Sequence, residues 1–258
     1  MTEADIRPLR RWFKEYVQSF YSTDTDIQAH VRLKEEHTAR VCDRMVELST
    51  ALRLNEEQRT LAESVALFHD VGRFQQYTQY RTFNDFRSED HACLGVRILR
   101  QTGVLSTLPQ PQQQLVQKAV RYHNGRDIPA DSDEAVYLAQ MIRDADKIDI
   151  LAMITSEDEL FRILPSPEFG GMAKVSPGTV EFILQGKVAR FEHIRTAADQ
   201  MLFRMSWLLD MNFSWTFQTV REQGYLEKMA AQLPQTDSVR RVVEYLSEYR
   251  DRRAAEVS

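Results

Sequence analysis

Apolar residues recur along this chain at intervals of three and four positions, and stretches of strict apolar–polar alternation are hard to find. Such spacing places the apolar side chains on one face of an α-helix. We therefore expect an all-α protein in which no β-sheet is required. The predicted helices span residues 4–20, 26–53, 56–71, 88–102, 109–123, 133–163, 177–211 with a break near Gly186, 214–231 and 236–253.

One segment, residues 164–178, interrupts the helical pattern. Its prolines and glycines forbid a continuous helix. They are Pro165, Pro167, Gly170, Gly171, Pro177 and Gly178. A lid over a pocket and a plain connecting loop are equally compatible with this composition.

Length and composition limit the classes of protein to consider. The 258 residues are 43% hydrophobic, which is enough for one large domain spanning 1–258. The chain carries 33 basic and 38 acidic residues, so its net charge of −5 disfavours binding to duplex nucleic acid. The two cysteines, Cys42 and Cys93, suit free thiols in a reducing compartment. No signal peptide or membrane span is predicted, so we expect a cytoplasmic protein without a membrane partner.

Candidate chemistry lies on the apolar faces of five predicted helices. Each of those faces includes one histidine or aspartate, namely His37, His69, His91, His123 and Asp146. A single inward histidine is more often a core residue with a hydrogen-bond partner. Five such groups together with Asp70 favour a metal site, since a divalent ion compensates several buried polar groups at once. His30 and His193 lie in more polar surroundings and are expected to have surface or packing roles.

The order of these residues resembles a known metal signature. His37, then His69-Asp70, then Asp146 within Asp144-Ala145-Asp146-Lys147-Ile148-Asp149 is similar to the signature of the HD-domain superfamily of metal-dependent phosphohydrolases. His91 and His123 match two additional histidines of its binuclear branch. The resemblance covers residues 30–155 and implies a helical bundle with its metal-binding core there. Residues 156–258 are expected to form a C-terminal helical extension, which matches no motif.

The resemblance also implies a ligand set. Asp70 would bridge two metal ions, His37, His69 and Asp146 would complete the first site, and His91 and His123 would complete the second. Asp144 also lies on an apolar row, but it points about 200° away from Asp146 around the helix, so only one of the two is expected to bind. Asp146 is chosen because the Ala-Asp pair of the family falls on Ala145-Asp146. Asp144 is the alternative ligand, and otherwise it would orient a histidine ligand without binding the metal itself.

Mixed imidazole and carboxylate ligands suit one or two divalent transition metal ions, namely Mn, Fe, Co, Ni or Zn. Two such ions lower the pKa of a shared water and neutralise phosphoryl oxygens. The expected reaction is therefore hydrolysis of a phosphate ester, from a nucleotide or another small phosphorylated metabolite, by a metal-bound hydroxide. Asp70 would be central to that catalysis.

Four further residues are candidates for the substrate. Arg73 could clamp a phosphate, or it could meet free carbonyls at a helix end. Lys147 could supply charge to the substrate or leaving group, or it could pair with Asp144. Arg121 and Asn124 flank His123 and are weaker candidates for substrate binding. An aromatic cluster could line a base-binding wall, although packing is the commoner role, and it comprises Phe74, Tyr77, Tyr80, Phe83 and Phe86.

Two other functions remain open from the sequence. The six-residue ligand pattern also resembles the di-iron site of HD-fold oxygenases, which iron content and oxygen dependence would separate from a hydrolase. A non-catalytic module that binds a nucleotide through an idle metal centre is the third reading. The sequence leaves the phosphate ester and the oligomeric state undetermined.

Overall fold

The computed structural model describes residues 3–156 and 171–256. Its regular elements in those ranges are helical, with no β-strand, which confirms the predicted all-α fold. The α-helices of these ranges are α1 (Glu3–Gln18), α2 (Thr25–Ala51), α3 (Glu56–Phe68), α4 (Val71–Tyr80), α5 (His91–Thr102), α6 (Gln110–Tyr122), α7 (Asp133–Ile154), α8 (Pro177–Leu184), α9 (Ala197–Met205), α10 (Ser214–Glu222), α11 (Tyr225–Ala230) and α12 (Asp237–Ala254). Short 3₁₀ helices lie at Asp85–Arg87, Val104–Thr107, Phe191–His193 and Ser206–Asp210.

The chain divides into two compact units, Met1–Asp146 and Lys147–Ser258. Helix α7 runs across this division and contributes residues to both units. The length of the chain also fits two small domains, and the expectation of a single domain, with a core at 30–155 and an extension at 156–258, stays a prediction. None of the described helices is long and apolar enough to span a membrane.

In the first unit, α2 packs on α3, α4 on α5, and α6 on both α3 and α5. The largest fully buried side chains there include Met45, Phe68, Phe74, Leu94 and Leu99. These residues come from α2, α3, α4 and α5, so the apolar faces of four helices meet in one core. Polar residues on the same helix faces lie at the edge of that core.

A close approach between α4 and α5 depends on Gly72. A Cβ atom added at Gly72 would lie 2.2 Å from the carbonyl oxygen of His91 and 2.8 Å from the backbone nitrogen of Gly95. Both atoms belong to the backbone, so a side chain here would push the helices apart. The glycine therefore lets the start of α4 lie directly against the start of α5, where His91 is located.

The second unit has its own apolar core. Ile148 and Leu151 from the end of α7 pack in one cluster with residues of α8, α9, α10, α11 and α12, among them Met205, Phe217 and Leu246. Helix α10 packs on α12. Helices α8 to α11 have only six to nine residues each, so apolar contacts rather than helix length stabilise them.

Several predicted boundaries differ from the structure. Helix α4 was not predicted, and α5 begins at His91 with Asp90 as its N-cap rather than at Ser88. The predicted helix 133–163 is described only to Ile154, and its last residues lie outside the described ranges. In the irregular segment 164–178, residues 164–170 also lie outside the described ranges. Its final residues, Pro177 and Gly178, instead form the first turn of α8, where proline lacks only an unneeded N–H.

Two long predicted helices are broken into shorter ones. The break expected near Gly186 is present, with Gly186 at φ +75°, but it extends from Leu184 to Ala197. Thr196 and Asp199 then form a capping box that starts α9. Gly224, at φ +63°, separates α10 from α11 within the predicted helix 214–231. Left-handed glycines are common at helix ends, and the apolar spacing on either side of Gly224 did not reveal the break there.

Candidate metal centre

Six residues of the first unit converge at one place, each at or near a helix end or on an apolar helix face. His69 directly follows α3, Asp70 directly precedes α4, His91 begins α5 and His123 directly follows α6, whereas His37 and Asp146 lie within α2 and α7. Five of them are buried, with exposed fractions of 1% for His37, 0% for His69, 3% for Asp70, 2% for His91 and 6% for His123. The side chain of Asp146 is 21% exposed.

The first cluster contains His37, His69, Asp70 and Asp146. The Nε2 atoms of His37 and His69 lie 3.3 Å apart, and each lies 3.5 Å from Asp70 Oδ2. Asp146 Oδ1 lies 3.1 Å from His37 Nε2 and 3.9 Å from His69 Nε2. Two imidazole nitrogens and two carboxylate oxygens therefore face one point.

The second cluster contains His91, His123 and the other oxygen of Asp70. The Nε2 atoms of His91 and His123 lie 3.0 Å apart. Asp70 Oδ1 lies 3.3 Å from His91 Nε2 and 3.7 Å from His123 Nε2. Asp70 therefore presents one carboxylate oxygen to each pair of histidines.

The ring hydrogen bonds show that these nitrogens suit a metal ion. His69 Nδ1 lies 2.7 Å from the Ala66 carbonyl oxygen, His123 Nδ1 lies 2.7 Å from the Val120 carbonyl oxygen, and His91 Nδ1 lies 2.7 Å from Asp85 Oδ2. Because these oxygens only accept hydrogen bonds, the network assigns the proton to Nδ1 and leaves a lone pair on each Nε2.

Two lone pairs that face each other at 3.0 Å, as those of His91 and His123 do, repel unless a cation lies between them. Two ligands held about 2.1 Å from one ion and at a right angle are separated by about 3.0 Å. The donor set and its spacing therefore fit divalent metal ions, with His37, His69 and Asp70 in one group and Asp70, His91 and His123 in the other.

Burial and neighbouring charges set the protonation of the first cluster. Burial lowers the pKa of His69 to about 4 against the opposing effect of Asp70 and Asp146, so its ring is neutral near pH 7. Burial alone would raise the pKa of the Asp70 carboxyl, but Lys34 and His69 outweigh it and hold that pKa well below its ordinary value. The pKa of Asp146 is likewise lowered, since a hydrogen bond from His37 outweighs burial. A neutral imidazole and ionised carboxylates are the forms that bind metal.

Asp85 supports His91 from behind, and the sequence reading missed it. Its Oδ2 accepts the His91 Nδ1 proton at 2.7 Å, and its Oδ1 accepts from Gln76 Nε2 at 2.7 Å and from Arg73 Nη1 at 3.1 Å. Burial raises the pKa of Asp85, but the hydrogen bond and charge of His91 outweigh it, so the pKa is lowered. The only sequence signal is an acidic residue six positions before a candidate ligand, in a segment without helical spacing.

Lys34 is the second residue that the sequence reading missed. It lies on α2, three positions before His37, and its Nζ donates a hydrogen bond to Asp70 Oδ2 at 2.6 Å. The Lys34 side chain is 15% exposed. Positions three apart share a helix face, so this spacing was the available signal.

Two predicted substrate residues lie beside the clusters. Arg73 Nη1 donates to Gln76 Oε1, the Phe83 carbonyl oxygen and Asp85 Oδ1, while its Nε lies 3.4 Å from Asp70 Oδ1. Asn124 Nδ2 donates to Asp85 Oδ2 at 3.2 Å. The structure thus brings Arg73 and Asn124 next to the predicted ligands, and their role in substrate binding stays a prediction.

Arg121, Lys147 and Asp144 have other surroundings. Arg121 lines a groove of about 590 Å³ together with residues of α5 and α6, and its Nη1 lies 3.9 Å from Asp90 Oδ2. In the second unit, Lys147 donates to the carboxylate and the carbonyl oxygen of Asp210. Asp144 is fully buried. The predicted roles of Arg121 in substrate binding, Lys147 in catalysis and Asp144 in orienting a histidine stay predictions.

The two remaining histidines each contact an aromatic ring. The His30 ring stacks on Tyr77 with a centroid separation of 3.9 Å, and the His193 ring packs on Phe182 at 4.9 Å. Both therefore have the packing environment expected for them.

The aromatic residues of the predicted wall do not share one surface. Phe74 and Tyr77 are buried, whereas Tyr80 and Phe86 are exposed. Phe83 is the member of this set that lies beside the candidate site, with Lys34 Nζ 5.5 Å and the Arg73 guanidinium carbon 5.6 Å from its ring centroid.

Comparison with known proteins agrees with this geometry. The model of the HD domain family matches residues 35–151, a range that includes all six predicted ligands. No curated protein and no solved structure matches the chain. The HD domain family consists mostly of metal-dependent hydrolases, and the His and Asp clusters of this chain suggest divalent metal binding. The similarity of this chain to the HD domain family therefore extends over residues 35–151.

Proposed function

We propose that the chain is a metal-dependent phosphohydrolase that cleaves a phosphate ester, either a nucleotide or another small phosphorylated metabolite. The observation that carries this proposal is the position of the Asp70 carboxylate between two pairs of histidines. Its Oδ2 lies beside the Nε2 atoms of His37 and His69, and its Oδ1 lies beside those of His91 and His123. A carboxylate shared in this way is typical of sites that hold two metal ions close together.

The six residues would form two metal-binding positions. His37, His69 and Asp146 would hold one ion, His91 and His123 would hold the other, and Asp70 would contact both. Two ions of Mn, Fe, Co, Ni or Zn would supply an activated water and neutralise the charge of the phosphoryl oxygens. Asp85 keeps the proton of His91 on Nδ1 and so keeps Nε2 available as a ligand.

Arg73 is the residue best placed to bind an oxygen of the substrate. Its Nε is buried and has no hydrogen-bond partner within the described part of the chain, although it lies only 3.4 Å from Asp70 Oδ1. Asn124 Oδ1, on the other side of Asp85, is likewise buried without such a partner. A buried polar atom without a partner costs free energy, and an ester with donor and acceptor groups would relieve both.

The proposal is tested by purifying the protein aerobically and anaerobically, measuring its metals, and assaying a panel of phosphate esters with each metal added back. Hydrolysis should proceed without oxygen and should place an oxygen atom from ¹⁸O-labelled water in the released phosphate. Turnover that stops under strict anaerobiosis and consumes oxygen stoichiometrically would falsify the proposal and support an oxygenase. Metal binding without multiple turnover on any ester would instead support a regulatory module.

A further inference from the structure

A cation of the protein itself already occupies the metal-facing side of Asp70. Lys34 Nζ lies 2.6 Å from Asp70 Oδ2, the oxygen that is also 3.5 Å from the Nε2 atoms of His37 and His69. The side chains of Lys34 and Asp70 are only 15% and 4% exposed. A strong, nearly dry ion pair is thus formed at the atom that the first cluster would offer to a metal ion.

Within 4.0 Å, the described residues offer Lys34 Nζ a single carboxylate, that of Asp70. The ammonium also lies over the Phe83 ring, at 5.5 Å from its centroid, and the Arg73 guanidinium lies over the same ring at 5.6 Å. If Asp70 gave its charge to a metal, Lys34 would become a cation without a counter-ion beside a second cation and next to the site.

We propose that Lys34 is a built-in counter-cation that a divalent metal must displace from Asp70 Oδ2, and that the displaced ammonium then binds the anionic group of the substrate. Metal and substrate consequently bind in that order. Only the identification of the anion as a phosphate ester rests on the proposed function. The competition between Lys34 and the metal follows from the ion pair alone.

The physical reason is the sharing of one carboxylate charge. Asp70 cannot fully compensate an ammonium and two divalent ions in a low-dielectric setting, so metal binding must weaken its attraction for Lys34. A partly buried ammonium that has lost its partner gains free energy from any new anion within reach. The metal-free protein keeps this cation occupied and so has little attraction for the substrate.

The first test compares Lys34→Met with Lys118→Met. Lys118 is a matched control because its Nζ is also 2.6 Å from a carboxylate, Asp131 Oδ1, in the same unit but in contact with none of the predicted ligands. Titration calorimetry with Mn²⁺ should show Lys34→Met binding its first ion more tightly than wild type, on the order of tenfold. Lys118→Met should bind as wild type does. Unchanged or weaker Mn²⁺ binding by Lys34→Met would overturn the proposal.

The second test uses inorganic phosphate as the probe of anion binding by the Mn²⁺-loaded protein. Lys34→Met should bind phosphate several-fold more weakly than wild type, whereas Lys34→Arg, which keeps the charge, should retain most of the affinity. Equal phosphate binding by wild type and Lys34→Met would remove the proposed role of the displaced ammonium.

Thermal unfolding separates this role from that of a purely structural ion pair. Metal-free Lys34→Met should be less stable than metal-free wild type because Asp70 is left buried without its partner, and saturating Mn²⁺ should abolish the difference. If the metal-free variant does not fold, Mn²⁺ should restore its folding. The same deficit with and without metal would mean that Lys34 is structural. None of these three measurements needs turnover, so a failure of hydrolysis would not be mistaken for a failure of this inference.

Discussion

Replacing Asp85 with Asn isolates the contribution of one supporting residue to the second metal cluster. In the wild type, Asp85 Oδ2 accepts the His91 Nδ1 proton at 2.7 Å, and the same carboxylate receives hydrogen bonds from Gln76, Arg73 and Asn124. Asn keeps the size of the side chain but removes its charge. Its amide group could also donate to His91 Nδ1, which would move the ring proton to Nε2 and block that ligand.

The size of the effect follows from the contact that is changed. Loss of the partner behind a ligating histidine commonly costs 10–100-fold in metal affinity. The Asp85 side chain is 26% exposed, and Asn retains one acceptor oxygen, so the lower end of that range applies. We expect Asp85→Asn to weaken metal binding at the Asp70, His91 and His123 cluster about tenfold, or about 1.4 kcal/mol.

Titration calorimetry in the presence of a competing chelator can measure the two binding steps separately. Asp90→Asn is the matched control, because Asp90 is adjacent to His91 but its carboxylate caps α5 through Cys93 N–H instead of touching the imidazole. Asn is an equally good N-cap, so this variant changes the same charge without losing the helix start. Two ions bound by Asp85→Asn at wild-type affinity, or equal losses in both variants, would refute the assignment of Asp85.

Three further outcomes are expected. Gly72→Ala should lower the free energy of unfolding by about 1–3 kcal/mol, since the new Cβ atom would lie 2.2 Å from a backbone oxygen. Gly178→Ala should not lower it, because no atom lies within 4 Å of a Cβ atom at that position. Calorimetric melting compares the two variants, and equal melting temperatures would contradict the close approach. The metal-free protein should lose about 3 kcal/mol of stability as the pH falls from 6.5 to about 4, because His69 stays neutral in the folded state whereas it binds a proton in the unfolded state. Urea unfolding at several pH values should show this loss in wild type and not in His69→Gln. Asp70→Ala should abolish hydrolysis and weaken metal binding at both clusters, whereas His193→Ala should retain hydrolysis and metal binding. Normal binding of two ions by Asp70→Ala would exclude Asp70 from the mechanism.

Periodicity revealed five of the six candidate ligands, because each of them lies in register with apolar residues, whereas Asp70 was added as the residue that follows His69. His37 continues the row of Val41, Met45 and Leu48, and in the structure all four are buried. A polar residue at such a position must be satisfied inside the protein, so the sequence alone indicates that something pairs with it. The chain order of the ligands then indicated the HD domain, which the family model confirms at residues 35–151.

Helix boundaries were determined less well, because local features override apolar spacing. Helix α4 follows α3 after only His69 and Asp70, so a change in chain direction falls within one apolar run. At Gly224 and Gly186 a left-handed backbone ends a helix although apolar residues continue beyond it. A period of 3.6 residues reports which face is buried, but it does not report where one axis stops and the next begins.

The sequence by itself thus determined the helical class and the inward His and Asp residues, and it indicated a divalent metal site. The tertiary structure decided which groups serve each ligand: Asp85 behind His91, Lys34 on Asp70, and the division of Asp70 between two histidine pairs. Asp85 lies outside any helical repeat, and the spacing of three between Lys34 and His37 does not single out Lys34 among the many charged residues of α2. Their contacts exist because α2 packs beside α4, and α4 approaches α5 at Gly72, bringing residues 36 positions apart to within 2.6 Å. Side-chain register specifies burial within one helix, whereas contacts between helices depend on the packing of all of them.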